Sequence, residues 1–315
     1  MCLHPNAGRG VCDKVISAHS IQRSSVLDRI VDSSNHVLSF YPPSLDTTGR
    51  LKIHSVGWRE ASTFTGFCAK HDNLVFRPLE SEEFTGTEQQ TFLAGYRALC
   101  RELFQKAASF RSAHVMDDFL RAGQMDGMQA LAIRLHDSFN DGVRAGLEQL
   151  QEIKRTADQW LLKRDYSALS SAVITFSGEF CVASSGATSP HQDFTGAELQ
   201  RLQDLGEPVQ GLFCTTLATN DGGAVVLSWP KTTSAGAKFV SSLIAKGGDD
   251  LPSFLTQFFF MFVENTYFSP SWWESLSELQ RQQLEHLAQR NPHCGRISFT
   301  RSRFVPWKIL AVKTS

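Results

Sequence analysis

The sequence predicts an α+β fold in three consecutive parts. Residues 1–80 form an irregular N-terminal module that contains five of the ten histidines. In residues 81–166 apolar side chains recur every three or four positions, which predicts a bridge of amphipathic helices. Residues 167–315 contain short apolar runs separated by glycine-rich turns, followed by helical stretches, and this pattern predicts a mixed α/β domain.

Overall charge and hydropathy limit the possible partners and compartment. The 315 residues carry 31 basic and 32 acidic side chains, a formal net charge of -1. This balance argues against nucleic-acid binding through overall charge and leaves only a local basic patch for that role. No apolar run is long enough to span a membrane, and the N-terminus lacks the apolar stretch of a signal peptide. We therefore expect a cytoplasmic protein whose seven cysteines stay reduced.

Cysteines and a histidine in the N-terminal module have the character of metal ligands. Cys68 and His71 are separated by two residues at a predicted helix start, which places thiolate and imidazole on one side of a turn. Together with Cys2 and Cys12 they form three thiolates and one imidazole, a common structural zinc set. A segment this irregular buries little apolar area, so Zn²⁺ binding would supply folding energy.

The remaining features of this module leave alternatives open. His4 or His19 could replace Cys2 as the fourth ligand, because Cys2 lies at the chain end. Unmetallated thiols are the other alternative, since the ten-residue separation of Cys2 and Cys12 is wider than in a tight zinc knuckle. A short helix is predicted over 21–31.

The same residues resemble the treble-clef module of the HNH-type nucleases. The resemblance covers about the first 75 residues and is carried by Cys2, Cys12, the run ISAHSI and the run GFCAKHD. It implies that His19 is the general base and that Asp72 binds a catalytic Mg²⁺ or Mn²⁺, with Asn35 or His36 at the middle position. The alternative for His19 is a structural role, either as a hydrogen-bond donor inside the module or as a zinc ligand.

The helical bridge is predicted as an antiparallel pair. Phe92, Tyr96, Leu99 and Leu103 lie on one face of the first helix. A second helix is predicted over 127–162, and at 1.5 Å per residue it would span about 50 Å. A helix of this length is typical of one that packs along a partner.

The C-terminal third begins with strands. The run 172–184 predicts two short strands joined by a Ser-Gly turn, and 211–230 predicts a hairpin with Asn-Asp-Gly-Gly at its turn. Helices are predicted over 252–264 and 270–290, and a final strand over 296–312 would complete the sheet.

The clearest basic cluster lies in that final strand. It consists of Arg296, Arg301, Arg303 and Lys308, and residues 301 and 303 would share one strand face. This composition predicts contact with the phosphate backbone of DNA or RNA. An ordinary charged edge strand has the same composition and is the alternative.

Two functions follow from these patterns. The first is a nucleic-acid-acting, HNH-like metal-dependent nuclease or nuclease-like effector that uses His19 and Asp72. The second is a non-catalytic interaction protein in which zinc stabilises the fold and the C-terminal domain binds a protein partner. The absence of phosphate-loop, dinucleotide-binding and serine-hydrolase motifs argues against those enzyme classes.

Overall fold

The computed structural model describes residues 2–47, 49–121, 127–202, 207–290 and 295–315. With 44% of its residues in helices and 22% in strands, it confirms the α+β class. Among the described residues, no helix is both long and apolar enough to cross a membrane.

A small two-stranded unit is formed within the N-terminal region. Strand β1 (Val15–His19) pairs antiparallel with β4 (Thr63–Cys68), and helix α1 (Ala69–Glu80) follows directly. The predicted start of a helix near Cys68 is therefore confirmed. The helix predicted over 21–31 is wrong in extent, because only a 3₁₀ turn at Leu27–Arg29 forms there.

Two long helices confirm the predicted helical pair. Helix α2 comprises Glu88–Leu120 and helix α3 comprises Gly127–Lys163. The Tyr96 hydroxyl donates to Asp158 Oδ1 at 2.7 Å, and His136 Nε2 lies 3.0 Å from the carbonyl oxygen of Ala113. These two contacts join early α2 to late α3 and late α2 to early α3, so the helices are antiparallel.

An eight-stranded antiparallel sheet forms the centre of the molecule. Its eight strands are β2 (His36–Ser39), β3 (His54–Gly57), β5 (Leu169–Ser177), β6 (Val182–Thr188), β7 (Leu212–Thr219), β8 (Gly222–Pro230), β9 (Thr266–Phe268) and β10 (Lys308–Thr314). The order across the sheet is β10-β5-β8-β7-β6-β9-β2-β3. Two strands from before residue 80 thus belong to the same sheet as the last third of the chain. The division at residues 80 and 166 stays a prediction.

The sheet confirms one predicted hairpin and corrects another. Strands β7 and β8 pair as expected, and Gly222 at the turn has φ +156°, a conformation that side chains rarely adopt. Strands β5 and β6 are not neighbours, because β8 and β7 lie between them. The Ser-Gly pair at 177–178 therefore ends β5 without forming a hairpin.

Helices cover both faces of the sheet. The four that follow β8 are α4 (Ala235–Gly247), α5 (Leu251–Phe262), α6 (Pro270–Ser275) and α7 (Glu278–Gln289). All twelve residues of α5 are buried. Along β5, Ala172 and Ile174 pack with the α4 and α5 side, whereas Val173 packs with the α1, α2 and α3 side. This alternation is the two-residue period of a strand that is buried on both faces.

Two predictions for the last third need correction. Helix α4 was not predicted, and the helix predicted over 270–290 is divided into α6 and α7. A capping box explains the division, because Ser277 accepts a hydrogen bond from the Gln280 amide while the Gln280 side chain accepts from the Ser277 amide.

The final strand is shorter than predicted. Only Lys308–Thr314 pairs with β5, and residues 296–307 form no regular strand. Helix side chains satisfy backbone groups of this segment instead. Gln257 binds both the amide and the carbonyl oxygen of Thr300, and the Trp272 indole donates to the carbonyl oxygen of Phe304 at 2.7 Å. These contacts replace the ladder bonds that a neighbouring strand would provide.

Candidate metal centre

Four predicted ligands meet in one cluster. Cys2, Cys12, Cys68 and His71 offer ligand atoms that all lie within 4.8 Å of one another. The Nδ1 atom of His71 lies 3.5, 3.5 and 3.2 Å from the three Sγ atoms, in that order. A tetrahedral site with metal–sulfur and metal–nitrogen bonds of about 2.3 and 2.0 Å has an S···N edge of about 3.5 Å. The cluster therefore could hold a metal ion such as zinc.

The β1–β4 pair and α1 position this cluster. Cys68 is the last residue of β4, and His71 lies in the first turn of α1. The Asp13 carboxylate accepts the Lys70 amide at 3.0 Å, which fixes the segment carrying Cys12 to the start of α1. These local contacts explain why distant positions in sequence become neighbours.

The segment that carries Cys2 is held by two backbone contacts. The amide of Leu3 donates to the carbonyl oxygen of Gly66 at 2.7 Å. The Lys154 ammonium, from α3, donates to the carbonyl oxygen of Leu3 at 2.8 Å. The segment that carries Cys2 is thus attached to both β4 and α3.

His4 stands beside the cluster as a stacked ring. Its ring lies parallel to that of His71 with centroids 4.0 Å apart, and its Nδ1 accepts the Asn6 amide at 3.1 Å. Burial, with the nearby His71 and Lys154, lowers the pKa of His4 to about 4, so the ring is neutral. The cluster includes Cys2, so neither His4 nor His19 takes its place.

His19 ends strand β1 opposite Thr63. Its Nδ1 lies 3.0 Å from the carbonyl oxygen of Ala61, so this nitrogen carries the proton and donates it. The other ring nitrogen, Nε2, is then the basic atom. The ring is half-buried, and burial lowers the pKa of His19 below its ordinary value.

Asp72 lies in the first turn of α1 and is 9% exposed. Its Oδ1 atom is buried and has no hydrogen-bond partner among the described residues. Burial, with the nearby Glu80, raises the pKa of Asp72, whereas Arg97 opposes the rise. Arg97 and Glu80 also act on the pKa of His19, so the same two charges lie near both predicted catalytic residues.

Arg97 is a residue that the sequence analysis missed. It is 2% exposed, binds Glu80 at 2.7 Å, and lies 4.1 Å from the ring centre of Phe76. The predicted apolar stripe of α2 gave no signal for it, because position 97 points about 100° away from the predicted core residue Tyr96. A charged residue is buried only when it has partners.

Asn35 and His36 do not join this cluster. Asn35 lies in a turn with φ +61°, and His36 begins β2 of the large sheet. The His36 Nδ1 atom bonds locally to Ser34. Neither residue belongs to the β1–β4 unit.

The predicted basic cluster is distributed differently from the expectation. Arg296, Arg301 and Arg303 lie before β10 and only Lys308 lies in it, so they do not share one strand face. Arg296 donates to the carbonyl oxygen of Thr195 at 3.0 Å. Arg301, Arg303 and Lys308 are exposed, and nucleic-acid contact by these four residues stays a prediction.

Comparisons with protein-family models, with curated proteins and with solved structures find no match for this chain.

Proposed function

We propose that the chain is a zinc-stabilised, metal-dependent nuclease of the HNH-like type, with the β1–β4–α1 unit as its active site. The observation that carries the proposal is the hydrogen bond that orients the His19 ring. Its Nδ1–H donates to the Ala61 carbonyl oxygen, so Nε2 is the basic nitrogen of the neutral ring at the end of β1. A general base needs a neutral imidazole whose free nitrogen is fixed in direction.

The zinc part of the proposal rests on the ligand set. Three thiolates and one imidazole are soft or borderline ligands, which favour Zn²⁺ over Mg²⁺ or Ca²⁺. Residues 2–12 contain no helix or strand. A metal ion bound by Cys2 and Cys12 would therefore stabilise a segment that has no regular hydrogen bonding of its own.

The catalytic part of the proposal assigns roles to His19 and Asp72. His19 Nε2 would accept a proton from the attacking water. Asp72, whose buried Oδ1 has no partner in the described part of the chain, would supply a carboxylate oxygen to Mg²⁺ or Mn²⁺. Such an ion polarises a phosphodiester and stabilises its leaving oxygen. Arg97, which lies close to both residues, would stabilise the negative charge of a phosphate group bound beside them.

Nuclease assays with a matched histidine control test this proposal. Purified chain is incubated with single- and double-stranded DNA and RNA in Mg²⁺ or Mn²⁺. We expect His19→Ala to lower the cleavage rate about 100-fold, as for loss of a general base. Zinc content and melting temperature should stay the same, and the control His36→Ala should cleave normally. If the wild-type chain cuts no substrate, the nuclease proposal is wrong. If His19→Ala loses zinc or unfolds, His19 is structural.

The second candidate is a non-catalytic interaction protein, and an exposed apolar row on α3 favours it. Met128, Leu131, Leu135 and Phe139 are 77, 52, 65 and 61% exposed and recur at helical spacing. Contiguous exposed apolar surface often marks protein contact. This row lies on the helical pair rather than on the C-terminal domain, where the sequence predicted the contact.

Light scattering after gel filtration tests the second candidate. If the row binds protein, wild-type chain should self-associate or retain a co-purified protein, and Phe139→Lys should abolish this. Leu279→Lys, at an equally exposed position on α7, is the control. A monomeric chain with active nuclease would favour the first function alone.

A further inference from the structure

A cavity of about 660 Å³ lies between the helical pair and the large sheet. It is lined by residues from α2, α3, α5 and the segments after β2 and β6, and by none of the four residues of the metal cluster. Its volume is in the range of sites that enclose small organic molecules.

One wall of the cavity is aromatic. Phe40 lies with its ring centre 5.9 Å from that of Phe260 and 5.5 Å from that of Phe268, and Phe260 and Phe268 are 5.3 Å apart. All three rings line the cavity. Aromatic surface of this kind binds apolar bodies and attracts cations through its negative ring faces.

Carboxylates line the same cavity. Glu102, from α2, keeps 20% of its side-chain surface accessible although it lies deep in the fold. It accepts the backbone amide of Ala187, and its Oε2 lies 3.6 Å from Arg101 Nη1. Glu264, which follows α5, also lines the cavity, as does the Tyr41 side chain.

Arg101 holds this arrangement from outside the cavity. It is 2% exposed, lies 5.5 Å from the ring centre of Tyr41, and its Nη1 has no hydrogen-bond partner among the described residues. The guanidinium therefore fixes Tyr41 and Glu102 without lining the cavity itself.

The carboxylates repel one another across this space. Burial raises the pKa of Glu102, Arg101 opposes the rise, and the charge of Glu264 adds to it. Burial also raises the pKa of Tyr41, with further contributions from Glu264 and Glu102. A positive charge placed between the two glutamates would relieve this repulsion. Lys106 also lines the cavity and lowers the pKa of Glu102, but less than Arg101 does, and its Cε lies against α3, 3.6 Å from the Cβ position of Gly146.

We propose that this cavity binds a small organic cation, an amine or amidine on an aromatic body. The cationic group lies against Glu102 and Glu264, and the body lies against Phe40, Phe260 and Phe268. This ligand site is independent of the proposed nuclease site.

Calorimetric titration with three probes of the same shape tests the charge preference. Tryptamine is cationic, tryptophol is neutral and indole-3-acetate is anionic, while all three carry the same indole ring. We expect tryptamine to bind the full chain about tenfold or more tightly than tryptophol, because an ion pair to a partly buried carboxylate adds to ring contact. Indole-3-acetate should bind weakest.

Three variants locate the site. Glu264→Gln, at an exposed position that folding tolerates, should reduce the preference for tryptamine over tryptophol about tenfold, and Glu102→Gln should do the same. Ala145→Trp, which fills the cavity from α3, should abolish binding of every probe. Glu148→Gln, on an exposed face of α3 outside the cavity lining, is the matched control and should bind like the wild type.

Three outcomes would overturn the proposal. Equal affinity for tryptamine and tryptophol would show that the carboxylates do not select charge. Tightest binding of indole-3-acetate would show an anion site at Lys106. Binding that survives both Glu264→Gln and Ala145→Trp would place the cation elsewhere.

Discussion

Removal of a single thiol tests the metal cluster most directly. Cys12 is the best position, because it is only half-buried and its replacement by alanine costs little packing. The change leaves Cys2, Cys68 and His71 with one ligand too few for a tetrahedral site. We expect the wild-type chain to contain about one equivalent of zinc and Cys12→Ala to contain almost none.

The size of the effect follows from the segment that the metal orders. Residues 2–12 are eleven residues without helix or strand, and ordering each costs about 1 kcal/mol or more, so roughly 11 kcal/mol in all. Structural zinc contributes about 10–16 kcal/mol, which is close to that cost. Loss of the ion should therefore release this segment locally, while the large sheet, which contains none of the four ligand residues, stays folded.

Hydrogen exchange followed by mass spectrometry measures this release. The Leu3 amide, which donates to the Gly66 carbonyl oxygen at 2.7 Å, should exchange at least about 100-fold faster in Cys12→Ala, equivalent to about 2.7 kcal/mol. Amides of β7 and β8 should keep their protection. Chelator should produce the same change in the wild type.

A buried thiol outside the cluster provides the control. Cys214 packs in β7 and is 1% exposed, so Cys214→Ala should lose some packing energy but no zinc. The reasoning is refuted if Cys12→Ala retains a full equivalent of zinc. It is also refuted if the variant loses zinc while residues 2–12 keep their protection.

Three further predictions concern the base, a turn and the core. Because burial lowers the pKa of His19 below 6.5, any nuclease rate should fall in acid with a midpoint below pH 6.5, as protonation removes the base. A pH profile whose midpoint lies above 6.5 would contradict this. Gly222→Ala, at φ +156° with its Cβ position against a carbonyl oxygen of β5, should destabilise the chain by about 1–3 kcal/mol in urea unfolding. Gly57→Ala, which has open space around its Cβ position and no positive φ, should cost less. Phe258→Ala, which empties a fully buried position in α5, should lower the free energy of unfolding by about 3–5 kcal/mol. Leu279→Ala, at a position that is 65% exposed, should change it by no more than about 0.5 kcal/mol. Similar urea-unfolding midpoints for these two variants would show that α5 is not part of the core.

Sequence reasoning succeeded where the signal is local. The C-x-x-H spacing of Cys68 and His71 predicted ligands on one turn of α1, and the repeat from Phe92 to Leu103 predicted α2. The Asn-Asp-Gly-Gly run at 220–223 predicted the β7–β8 hairpin. Each of these depends on backbone geometry within a few residues, which the order of side chains specifies directly.

The site was predicted only in part, for the same reason. The Cys3His set was proposed from spacing and composition, and the structure brings all four residues together. The Arg97–Glu80 pair near His19 and Asp72 was not foreseen, because it depends on how α2 packs on α1. The cavity beside Glu102 was not foreseen either, since its walls come from helices, strands and loops far apart in the sequence.

The sequence by itself therefore determined the two long helices, the β7–β8 hairpin, and the side chains that have the chemistry of metal ligands. The tertiary structure alone decided the strand order, in which β8 and β7 separate β5 from β6 and β2 and β3 join the far edge of the sheet. Strand pairing and helix packing depend on hydrogen bonds and apolar contacts between residues far apart in the chain, and many arrangements share the same local pattern. Only the folded chain selects the one in which the apolar faces of β5, β7 and β8 are covered on both sides.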